Sequence, residues 1–210
     1  MRSSLAMLFM AISNPAFAQD RPAITPGRDI SVTYRIMADG QAPAEFRMSW
    51  LAARNLMRVD LPGGQGWIVL DRATNRAFMV TDAERRIMEM TGSNLPTGMA
   101  PDPAARFTRE GRLRVAQTEC VNWRMESRAQ SARICLTSDG VMLRSESLDG
   151  PRAGLMEATA MQLTAQDPSR FERPAGYQSL QLPSGRPGDG GMPRGTALPP
   201  PGLTAPAPAR

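Results

Sequence analysis

The chain has 210 residues, a formal net charge of +5 and a sequence pI near 10.4. All 25 basic residues are arginine, histidine is absent, and cysteine occurs twice, at Cys120 and Cys135. These counts exclude a histidine general base, a Ser-His-Asp triad, a histidine-ligated zinc centre and a four-thiolate metal site.

Residues 1–18 read MRSSLAMLFMAISNPAFA. Arg2 supplies a positive start, Leu5 to Ile12 an apolar stretch, and Ala16 and Ala18 small residues after Pro15. This is the layout of a secretory signal peptide, with cleavage expected after Ala18. The apolar stretch is too short to span a bilayer. The expectation is an exported, periplasmic chain that does not span the membrane. Residues 19–28, with Pro22 and Pro26, read as a flexible lead-in.

Residues 29–180 read as one antiparallel β domain, long enough to bury a sizeable core. Val32, Tyr34 and Ile36 share one strand face, and Asp39-Gly40 comes next as a turn. Phe46, Met48 and Trp50 share the next face. A third strand places Arg54 and Arg58 around Leu56, with Met57 and Val59 opposite. Pro62-Gly63-Gly64 breaks the chain. Trp67 to Leu70 and Ala77 to Val80 are short apolar runs with a polar turn between them. Arg86, Met88 and Met90 then line one face of a strand, with Ile87 on the other. Segments of this length with period-two alternation and turn residues between them signal a meander.

Prolines and glycines interrupt the pattern over 92–111. A short helix is expected over 102–109, with Asp102 as N-cap and Pro103 at the first helical position. Strands resume at Leu113, then at Val121 to Met125 and at Ser131 to Thr137. Ser138-Asp139-Gly140 turns the chain into Val141 to Leu143, a hairpin signal. Gly154 to Thr164 is the last strand. Asp167-Pro168 opens a single helical turn whose Phe171, with Tyr177, pins the chain end to the core. Residues 181–210 hold eight prolines and six glycines and read as a disordered tail.

Cys120 and Cys135 fall near facing ends of two adjacent strands. In an exported chain they read as one structural disulfide stapling a hairpin, not as a CxxC redox pair. The arginines are interspersed with 20 acids and read mainly as a solvated sheet face. The densest group, Arg106, Arg109, Arg112 and Arg114, is the candidate anion-facing patch. Neither clustered charge with an aromatic platform nor a recognition helix is visible, so no nucleic-acid role is assigned. Met48, Trp50, Met88, Met90 and Trp123 form the candidate ligand groove, because methionine adapts to varied apolar shapes. Met88 and Met90 share a face, which does not exclude thioether Cu(I) ligation, but no histidine or free thiol stands beside them. No metal or cofactor is assigned. Gly63-Gly64-Gln65-Gly66 lacks the lysine and helix of a phosphate-binding loop. Asp82 and Glu84 read as solvated turn acids. No constellation nominates a catalytic residue, and the chain reads as non-enzymatic.

The succession VTYRI, FRMSWLAARNLMRVDLPGG, CVNWRMES, ICLTSDGVMLR and QDPSRFERPAGY resembles uncharacterised exported bacterial proteins related to the lipoprotein-carrier-like (LolA-like) superfamily. The resemblance covers 31–177. It implies a curved antiparallel sheet forming an incomplete barrel, with one or two short helices. It also implies an apolar groove for an acyl chain, which suits the methionine and tryptophan inventory. No ligand-binding residue of the carriers carries over to this chain, and the proline-rich tail departs from their pattern. Two functions stand. One is a soluble periplasmic carrier-like protein for a lipid or acyl chain. The other is a structural or envelope-interaction protein with a filled core, touching an envelope protein through its arginines or tail.

Overall fold

The computed structural model describes residues 21–38, 40–91, 102, 104–128, 130–149 and 154–181. The expected signal segment, Asp39, the break over 92–101, Pro103 and the tail beyond Gln181 lie outside the described residues. The first run of strands is β1 (Ile30–Ala38), β2 (Ala44–Leu51), β3 (Leu56–Asp60), β4 (Trp67–Asp71), β5 (Arg76–Thr81) and β6 (Arg86–Thr91). The second is β7 (Arg106–Val115), β8 (Thr118–Glu126), β9 (Ser131–Leu136), β10 (Met142–Ser147) and β11 (Gly154–Leu163), with a short β12 (Gln178–Gln181). They form one sheet in the order β12-β6-β5-β4-β3-β2-β1-β11-β10-β9-β8-β7. The sheet is open, with β12 and β7 at its edges. Every pairing is antiparallel except β12 with β6. The open, mainly antiparallel β architecture expected from the sequence is present. The described helical content is confined to short 3-10 turns.

Local chemistry sets the turns. The Asp71 carboxylate accepts the backbone N–H of Ala73 and Thr74 at 2.9 and 3.1 Å, closing the β4–β5 hairpin. Between β2 and β3 the chain makes a 3-10 turn over Ala52–Arg54, completed by Asn55 in the left-handed region. Arg54 therefore sits in the turn and not beside Leu56 on a strand face. Asp167 caps the expected turn Pro168–Phe171 by accepting the Ser169 N–H.

The helix expected over 102–109 does not form. Asp102 does cap a turn, accepting the Ala104 N–H at 2.8 Å. The chain then extends at once into β7, so Arg106 to Arg109 are strand residues. Extension lets β7 pair with β8 from Arg106↔Glu126 to Val115↔Thr118. It also buries Ala105 and Phe107 beside Trp123, Ile134 and Leu136. A lone helical turn offers neither the ladder nor that burial.

The register defines two faces of β2–β6. On one face, Trp50, Met57, Leu70, Ala77 and Met90 lie in one cross-strand row. Met48, Val59, Ile68, Met79 and Met88 form the adjacent row. Ile30 and Val32 extend both rows into β1. On the opposite face, Val69, Phe78, Val80 and Ile87 bury around Phe171, which the segment after β11 lays across them. Arg173 anchors this segment by pairing with Glu89 at 2.9 Å and lying over the Phe78 ring at 4.4 Å. At the other end of the sheet, Ile24 of the N-terminal lead-in packs on the Phe107–Trp123 cluster. Gly27 N–H reaches Asp139 O, and Arg28 pairs with Asp139 at 2.8 Å.

Candidate functional site

The methionine-bearing face is built from period-two strands whose register brings distant methionines into line. Four of the five groove candidates, Met48, Trp50, Met88 and Met90, stand in the two rows just described. Trp50 is 1% exposed and Met90 is 6% exposed, so the row through Trp50 is core. In the adjacent row, Met48, Met79 and Met88 are half-buried, and Met79 stands directly opposite Met88. Met161 of β11 continues that row beyond Val32 and is also half-buried. Trp123 does not join them; it belongs to the separate cluster with Phe107 and Ile134.

The four arginines of the candidate anion-facing patch all fall on the edge strand β7, and all are exposed. Arg114 donates to the Gln117 carbonyl at 3.2 Å, whereas Arg106, Arg109 and Arg112 make no ion pair among the described residues. The register puts Arg109, Arg112 and Arg114 on one face and Arg106 on the other, where Glu110 joins Arg124 and Arg133 at 3.0 and 3.1 Å. Hydrogen bonding from Arg124, then Arg133, holds the Glu110 carboxyl below its ordinary value. A charged edge strand of this kind also resists pairing with another sheet.

The cysteines form a disulfide, with Cα atoms 5.4 Å apart, between β8 and β9. It lies in the principal core cluster with Tyr34, Trp50 and Leu143. Burial pushes the Tyr34 phenol well above its usual range, and its O–H donates to the Met142 carbonyl at 2.6 Å.

Sequence reasoning missed a polar cavity of about 370 Å3 on the face opposite the methionines. Its floor is the polar end of the strand rows, where Thr33 stands opposite Arg47 and Ser31 opposite Gln162. Its wall is the segment from Thr164 to Arg170. Asp29 fixes that wall: one carboxylate oxygen accepts the Gln166 N–H at 2.9 Å and the other the Ala52 N–H at 2.8 Å. Polar residues at alternate strand positions look like a solvated face in sequence, and the wall lies more than a hundred residues from Thr33 along the chain. The only sequence signal was the polar alternation of Ser31 and Thr33. Among the described residues no group of His, Cys, Asp and Glu side chains could hold a metal ion. No described helix is long and apolar enough to cross a membrane.

No family model matches the chain, and no curated protein matches it in sequence. Solved structures do share its fold. An uncharacterised conserved protein from Thermus thermophilus aligns over 74% of this chain and 91% of its own, at 15% identity and TM-score 0.54. The Pseudomonas aeruginosa MucA/MucB complex aligns over 73% of this chain at 16% identity and TM-score 0.50, and this chain spans 58% of that one. The neighbours include a LolA superfamily protein from Nitrosomonas europaea, aligned over 71% of this chain and 92% of its own at 10% identity and TM-score 0.38. At these identities the likeness to the first two is one of fold.

Proposed function

We propose that the protein is a non-catalytic periplasmic binding module that seats a lipid or acyl chain against its methionine row. The observation that carries this reading is the alignment of Met88, Met79, Met48 and Met161, all half-buried, along one row of the sheet. Flexible, polarisable thioethers suit a ligand whose apolar chain varies in shape. The disulfide and the leader-like N-terminus support an oxidising, exported location.

The second reading, an envelope-interaction protein with a filled core, is favoured by the burial of Trp50 and Leu70 in the other row. The shared fold with MucB, solved together with MucA, supports a polypeptide partner for that reading.

Mass spectrometry of organic extracts, then titration with a fluorescent fatty acid, separates the two. The carrier reading expects co-purified lipid and saturable uptake, weakened about tenfold or more by Met88→Glu, which places a charge against the chain. Clean extracts with no uptake by the wild-type protein overturn it in favour of the filled-core reading.

A further inference from the structure

The polar cavity lies on the opposite side of the same strands from the methionine row and is independent of it. Its charge accounting is unusual. Arg47 stands directly across from Asp60 in the β2–β3 register. Yet Asp60 is already held by Arg58 at 2.6 Å and by Arg170 at 3.3 Å. Arg170 is occupied further by the Gln166 side chain at 3.1 Å. Arg58 also lies over the Trp67 ring at 4.0 Å and donates to the Arg170 carbonyl. Arg47 is left with no hydrogen bond or ion pair among the described residues, exposed at the cavity.

Of the charged residues that line the cavity, Arg47, Arg170 and Asp167, Arg170 is already bound to Asp60. Arg47 is the lining guanidinium left free for a ligand, which suits a single carboxylate. Asp167 is turned to its own loop, accepting the Ser169 N–H at 2.9 Å and hydroxyl at 2.8 Å. The remaining lining is rich in uncommitted hydroxyl and amide groups, among them Ser31, Thr33 and Gln162. Directly across from Ser31, the Ser49 hydroxyl is fully buried and has no partner among the described residues. The volume sits at the lower end of ordinary small-molecule pockets, roughly 300–1,000 Å3.

We propose that this cavity binds a small hydroxylated monocarboxylate, of the sugar-acid class. The Arg47 guanidinium forks onto the carboxylate. Ser31, Thr33 and Gln162 take the ligand's hydroxyls. The wall from Thr164 to Arg170, fixed by Asp29 and by the Arg170–Asp60 pair, is in place before the ligand arrives, so little ordering opposes binding.

The test is calorimetric titration of the full exported chain with glucuronate, glucose and inorganic phosphate. Glucuronate is expected to bind, with glucose weaker by about tenfold or more for the loss of the charge-assisted contact to Arg47, and phosphate weaker by a similar factor for the loss of the hydroxyls held by Ser31, Thr33 and Gln162. Arg47→Gln is expected to weaken glucuronate by the same factor with unchanged thermal melting, because Arg47 anchors nothing else. Arg112→Gln, on the far edge strand, is expected to leave it unchanged. Fatty-acid uptake is expected to be indifferent to Arg47→Gln, so failure of this proposal is distinguishable from failure of the carrier reading. Absence of glucuronate binding at millimolar concentration overturns the proposal. So does equal binding by the Arg47→Gln protein, or phosphate binding as tightly as glucuronate.

Discussion

At Gly66 the chain has no room for a side chain. A Cβ there would stand 2.0 Å from the Val80 carbonyl oxygen, a backbone atom, and the residue's φ is +136°. Gly66→Ala must therefore push β4 away from β5 and strain its own backbone. A loss of roughly 3 kcal/mol or more is expected in chemical denaturation. Tyr34→Phe is expected to cost less, about 1–2 kcal/mol, because it deletes one hydrogen bond to the Met142 carbonyl while keeping the ring stacked on Phe46. The glycine cluster around Gly66 was readable in sequence as something other than a phosphate loop. Its reason was not readable, since the close approach is to a backbone oxygen on another strand.

Among the elements, two devices hold the sheet without covering it by helices. The Cys120–Cys135 bridge ties β8 to β9, and Phe171 seals the far end of β3–β6 from the segment after β11. Replacing both cysteines by serine is expected to lower unfolding free energy by about 3 kcal/mol, on the entropy of a loop this size. Phe171→Ala empties a site that is 2% exposed, ringed by Leu51, Leu56 and Phe78. It is expected to cost about 3–5 kcal/mol and to expose Trp67, shifting tryptophan emission to the red. The capped turn before Phe171 was legible because Asp167-Pro168 is a local signal. The same kind of signal at Asp102-Pro103 misled: a cap and a proline can open a turn, but the ladder offered by β8 makes the next residues a strand. Likewise the arginines read as a solvated face, whereas Arg58, Arg85 and Arg173 lie over Trp67, Tyr177 and Phe78. The Arg85 and Arg173 pairings join segments far apart in the chain, which periodicity does not report.

Taken as a whole, the molecule backs its methionine face with a polar cavity over β1, β2 and β11 and with an apolar cluster under Phe171 over β4–β6. The methionine face was legible because alternation within each strand names its members. The cavity was not, because it needs the register between strands and the return of the chain after β11. The titration chemistry also belongs to this scale. With no histidine, no side chain ordinarily changes charge between about pH 5 and 8. At the acid end, Glu110 is held below its ordinary value first by its hydrogen bond from Arg124, and Asp167 by the Ser169 N–H. A depressed carboxylate contributes stability that is present above its unfolded pKa and lost as pH falls through the folded one. At the alkaline end, burial raises the Tyr34 pKa. Its contribution is fully present below the unfolded value near 10 and declines as pH rises above that, because only the unfolded phenol ionises freely. The melting temperature is therefore expected to be flat from about pH 5 to 9, to fall below about pH 4, and to fall again above about pH 10. Circular dichroism melts across that range check it. Tyr34→Phe should soften the alkaline fall and leave the acid fall unchanged, and Glu110→Gln should do the reverse. A midpoint of stability loss between pH 6 and 7 would require a titrating group that this chain does not contain.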